Sequence, residues 1–176
     1  MSKYIAAASL ILILLSVNWL IVGKENHLTR GRIVYLALAP VDPRSLMQGD
    51  YMALRFQLAE HLTRVLREQI GQDQPRKTLP TSDAYVVVRL DAHGVATFTD
   101  RPPTQPLAAN ELLLHYRIRG GEVKLATNAF FFQEGHGHFY EAARYGQFRV
   151  DGKGELLLVA MYDKDLKELT PVEKQK

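Results

Sequence analysis

The longest apolar run in the chain lies near its start. Residues 4–22 read YIAAASLILILLSVNWLIV, nineteen positions without a formal charge. Coiled as a helix at ~1.5 Å per residue, the run nearly spans a bilayer core of ~30 Å. Trp19 lies near one end, where an amphipathic ring suits the membrane interface. A cleaved signal peptide has the same outline, but Asn18, Trp19 and Leu20 offer no small-residue cleavage site. The pattern predicts an uncleaved anchor over residues 1–23, contacting the membrane through residues 4–22, followed by a polar neck over 24–32.

Beyond the neck the period changes. Residues 33–39 (IVYLALA) are rich in strand formers and end at Pro40. In residues 51–58, Met52, Leu54, Phe56 and Leu58 alternate with Tyr51, Ala53, Arg55 and Gln57, the mark of a half-buried strand. Residues 59–70 shift to a helical stripe through Leu62, Val65, Leu66, Gln69 and Ile70, with Gly71 as the stop. Glu60, Arg64 and Glu68 stand four residues apart on its polar side, as i,i+4 pairs. Strands are predicted at 84–90 and 95–99 around a 91–94 turn, and at 111–119 and 122–132 around Gly120-Gly121. Two more follow at 139–150 and 155–162, around a 151–154 turn. The loops over 72–83 and 101–110 are polar or proline-rich.

This makes about eight strands and one soluble helix behind a transmembrane helix. The fold class expected is mainly β (α+β), an antiparallel meander or small barrel over residues 33–165, with a charged tail over 166–176.

Composition narrows the functional classes. At 176 residues the chain suits one domain with a real core. A net charge of +3, with acids and bases mixed, gives no basic track for nucleic acid. The absence of cysteine excludes disulfides, a thiol nucleophile and thiolate metal sites. Lys3 favours a cytoplasmic N-terminus, whereas Lys24, Arg30 and Arg32 pull the other way, so charge alone leaves orientation open.

The stretch LMQGDYMALRF, residues 46–56, carries the clearest motif. Gly49 can take backbone conformations closed to other residues, and Asp50 can bond nearby amides, so a turn feeding a strand is expected. Gly49, Asp50, Tyr51 and Leu54, with Phe56 in place of a final tyrosine, resemble the GDYXXLXY family of bacterial membrane-anchored proteins. The similarity extends to the DPRSLMQGDY approach, to FFFQEGHGHFYEAARYGQFRVD and to GELLLVAMYD. It implies a single-span protein of the cytoplasmic (inner) membrane with an extracytoplasmic C-terminal domain, sometimes linked with a multi-span membrane protein. It implies no reaction and no cofactor. A signal-peptidase pattern laid on Gly49-Asp50 puts Val41 where the nucleophilic serine belongs. Ser82 and Lys77 lie in a polar loop unsuited to lowering a lysine pKa.

Residues 133–145 are the richest polar cluster. Glu134, His136, His138 and Glu141 are candidate metal ligands, and the two histidines would share a face of an extended segment. Gly135 and Gly137 favour a solvated turn instead. Arg144 and Tyr145 open the next strand, and Arg144 has Asp50 or Glu134 as natural carboxylate partners. Asp42, Pro43 and Arg44 read as a braced turn. The function expected is an anchored accessory or binding protein of the cell envelope. The alternative is an anchored hydrolase using Glu134, His136, His138 or Glu141 with a metal.

Overall fold

The structure is a computed structural model, and it describes residues 2–39, 47–48, 51–70 and 78–171. The expectations for Gly49, Asp50, the turn at Asp42–Arg44 and the stop at Gly71 lie outside the described residues. Helix α1 (Ser2–Arg30) carries the apolar run and continues through the polar residues up to Arg30. Every residue from 9 to 26 is exposed. The helix is long and apolar enough to cross a membrane.

Among the described residues, ten strands and a second long helix follow. Strands β1 (Arg32–Ala37), β9 (Tyr145–Val150) and β10 (Leu156–Tyr162) form one sheet with β9 in the middle. Strands β2 (Met47–Gln48), β3 (Tyr51–Ala53) and β8 (Ala129–Phe131) form a second. The third runs β5 (Ala96–Phe98), β4 (Ser82–Leu90), β6 (Glu111–Arg119), β7 (Glu122–Lys124). Every ladder is antiparallel. The expectation of a mainly β, antiparallel domain with one soluble helix holds, and the sheets include a half-barrel.

Short contacts join the sheets. The Tyr35 N–H donates to the Gly94 carbonyl at 2.9 Å, linking β1 to the β4–β5 turn. The His115 N–H donates to the Gly154 carbonyl at 2.8 Å, pressing the β9–β10 turn onto β6. Gly154 has φ +79°, and a Cβ there would meet the Leu113 carbonyl oxygen at 2.8 Å, so only glycine fits this turn. Gly120 and Gly121, at φ +62° and +75°, make the two-residue β6–β7 turn that the sequence announces.

The core lies where the faces meet. Val34 and Leu36 of β1, Phe148 of β9, Met161 of β10 and Leu114 of β6 have no exposed surface. Helix α2 (Gln57–Ile70) closes one side by burying Leu58, Ala59 and Leu62. Its stripe is shorter than the sequence suggests, because Ile70 is exposed.

Three predicted strands are corrected. In residues 51–58 the alternation holds, and Met52, Leu54 and Phe56 are all buried. The ladder nevertheless stops at Ala53, because the Leu54 N–H bonds the Asn128 carbonyl and the Phe56 carbonyl accepts the first helical N–H, from Glu60. Leu58 is therefore buried by a helix. Residues 122–132 form two strands, since Ala126 at φ +46° turns the chain out of the third sheet and β8 pairs with β3. Residues 139–150 are extended only from Tyr145. Before it, Gly137–Tyr140 is a 3₁₀ turn that buries Tyr140 against Phe130, with ring centroids 4.9 Å apart.

Candidate functional site

The second half of the motif enters the core and the floor of a cleft. Tyr51, half-buried on β3, faces Phe131 across the β3–β8 ladder, with ring centroids 5.8 Å apart. Leu54 and Phe56 point inward, and Phe56 meets Phe148 edge-on at 5.4 Å. Above them a cleft of about 740 Å³ opens between α2, residues 53–56 and β7. That volume lies within the ~300–1,000 Å³ usual for small-ligand sites.

Its floor is apolar, from Leu54, Phe56 and Val123, and its rim is charged. Arg55, Arg64, Arg67 and Lys124 line it together with the carboxylates of Glu60, Glu68 and Glu122. The Lys124 ammonium, 2.6 Å away, holds the Glu122 carboxyl below its usual range, with smaller contributions from Arg55 and Arg67. Arg67 donates to the Gly121 carbonyl at 3.0 Å. Thr63 accepts the Val123 N–H at 3.0 Å and donates to the Ala59 carbonyl at 2.7 Å, so α2 and β7 are stitched along the cleft. Among the described residues no ion pair joins Glu60, Arg64 and Glu68, so the expected i,i+4 pairs do not form. The cleft can hold an anionic group beside an apolar one, because guanidinium forks favour carboxylate and phosphate.

The histidine cluster is a folded turn. His136 and His138 both pack on Phe139, at 5.5 and 4.0 Å, and His138 Nδ1 donates to the Gly135 carbonyl at 3.0 Å. The segment is not extended, so the shared face expected for the two imidazoles is not built. No group of three metal-capable side chains forms among the described residues, Glu134 and Glu141 included.

Arg144 is exposed, and its Nη1 donates to the neighbouring Ala143 carbonyl at 2.7 Å. It makes no ion pair with Glu134, and Asp50 lies outside the described residues. Its backbone is the structural part. The Arg144 N–H reaches the Tyr162 carbonyl and its carbonyl accepts from Leu38, both at 2.8 Å. Tyr145, half-buried at the start of β9, pairs in register with Ala37 and Tyr162.

Two polar groups to which the sequence pattern gives no clue are buried in the domain. Gln147 donates to the Tyr35 and Tyr162 hydroxyls, each at 3.0 Å, and burial with the nearby Glu168 carboxylate pushes the Tyr162 phenol up to about 12. Glu111 is held by Arg101, by Arg89 at 3.4 Å and by the Ala108 N–H at 3.0 Å. The arginines of α2 were also missed. They read as a solvated face, and the available signal was Arg55 inside the motif, next to a helix with two further arginines.

A family model described as GDYXXLXY protein matches residues 13–161. No curated protein matches, and no solved structure does.

Proposed function

Because the chain belongs to the GDYXXLXY family, we propose that it is a single-span accessory or binding protein of the bacterial cell envelope. It resides in the cytoplasmic (inner) membrane with its C-terminal domain outside the cytoplasm, and works through contacts with a multi-span membrane protein. The observation that supports this reading is the junction of anchor and domain. The exposed apolar helix does not end in a free tether. His27 donates from Nε2 to the Arg149 carbonyl at 2.8 Å, and Arg149 Nη1 donates to the Gly31 carbonyl at 3.1 Å. A docked helix sets the height and angle of the domain above the bilayer. That geometry favours meeting a neighbour fixed in the same membrane.

The α2–β7 cleft is the face assigned to the partner, with Arg55 and Arg64 taking an acidic segment over the apolar floor. The test is affinity isolation of the full-length protein from gently solubilised membranes, with mass spectrometry of the co-purifying chains and of the intact N-terminus. A stoichiometric multi-span chain is expected with the native protein. It should be lost with Arg55→Glu/Arg64→Glu, whose melting temperature stays within a few degrees of the native value because both side chains are exposed. A protein that isolates alone, or one cleaved after the apolar run, contradicts the reading.

A further inference from the structure

Outside α1, the most exposed large hydrophobic residue described is Phe131, at 73%, against 45% for Tyr85, the next. Exposed apolar residues are ordinary when scattered, so position has to decide whether this one matters. Phe131 lines a groove of about 400 Å³ together with Phe130, Leu157, Arg117 and Lys24. Lys24 belongs to α1, two residues beyond Val22, the end of the apolar run. Two residues advance a helix by ~3 Å. The headgroup layer on each side of a bilayer is roughly 5–8 Å deep, by difference between a ~30 Å core and ~40–45 Å overall. An anchor that fills the core therefore brings the Lys24 level of the domain, and the groove with it, into the headgroups.

We propose that the β8 edge seats the domain on the bilayer, with the Phe131 ring in the interfacial layer beside Lys24 and Arg117. The inference rests on the anchor reading above. The occupant is the lipid surface itself, because the groove is continuous with the membrane-crossing helix and its two cations suit phosphate headgroups. Tyr51 then acquires a purpose within the motif. Across the β3–β8 ladder it backs the Phe131 ring, and both aromatics stand where membrane proteins concentrate such rings. Glu155 also lines the groove, and its pairing with His115 at 2.8 Å offsets its charge toward anionic lipid when the imidazole is protonated.

Trp19 is the single tryptophan of the chain, so one experiment separates the anchor from the seat. Full-length protein is reconstituted into phosphatidylethanolamine/phosphatidylglycerol vesicles containing lipids brominated at shallow or deep acyl positions. The native chain reports Trp19, and a Trp19→Phe/Phe131→Trp chain reports position 131. The proposal expects severalfold stronger quenching of the 131 indole by shallow bromines than by deep ones, with emission blue-shifted from that of an indole in water. If Trp19 is quenched while the 131 indole emits as in water and is untouched by bromine, the seat is overturned and the anchor stands. If Trp19 is not quenched either, the anchor reading fails, and the seat with it.

Discussion

Glu111 illustrates how single residues carry stability here. Its side chain is 1% exposed yet ionised, since the Ala108 N–H first, then the Arg89 and Arg101 guanidiniums, hold the carboxyl below its ordinary value against the opposing pull of burial. A carboxylate whose folded pKa is depressed stabilises the fold above the unfolded pKa, here 4.5. That stability is lost as pH falls through the lower folded value. Glu111→Gln should therefore melt several degrees below the native protein at pH 7. The gap should narrow steadily below about pH 4.5, where the carboxyl of the unfolded chain takes up its proton, and close once the pH passes the lower folded value. Parallel thermal melts at pH 7, 5 and 3 check this, and a gap that does not change with pH would show that charge is not what Glu111 contributes.

Among the elements, the α1–β9 junction depends on close approach. A Cβ on Gly31 would stand 2.9 Å from the Arg149 Cβ, 3.2 Å from the Val150 nitrogen and 2.5 Å from the His27 carbonyl oxygen, with backbone among the obstacles. Gly31→Val should push the end of α1 off β9, breaking the His27 and Arg149 bonds at a cost of about 1–3 kcal/mol for overpacking. The measurement is limited proteolysis of membrane-embedded protein, with cleavage around residues 24–31 rising at least several-fold in the variant. Equal cleavage would mean that the junction is not what protects this segment. The same scale explains the strand corrections. Alternation in residues 51–58 specifies which side chains go inward, and both a strand and the turn before a helix can satisfy it.

At the level of the whole molecule, the core is independent of the apolar helix. Among the described residues, the buried cluster starts at Val34 and includes nothing from α1. A chain beginning at residue 24 keeps His27 and Gly31, so it should be soluble without detergent and melt cooperatively. Its midpoint should stay within about 3 °C of the full-length protein in detergent, a change of roughly 1 kcal/mol or less for a chain of this size. Aggregation of the truncated chain under gentle conditions would mean that the boundary is misplaced or that the anchor supports the fold.

Local pattern was enough to find most of the elements. An uncharged run of bilayer length, period-2 and helical-period stretches, and paired glycines each constrain only neighbouring residues, and those constraints are written in order along the chain. They yielded the apolar helix, α2, the three hairpin turns and the inward side of Met52, Leu54 and Phe56. The tertiary structure alone decided which strands share a sheet, that residues 122–132 divide between two of them, and that arginines on α2 join the motif around one cleft. Those outcomes depend on contacts between residues such as Leu54 and Asn128, or Met52 and Phe130, far apart in the chain. No local period records such pairs, because burial is settled by the whole core at once.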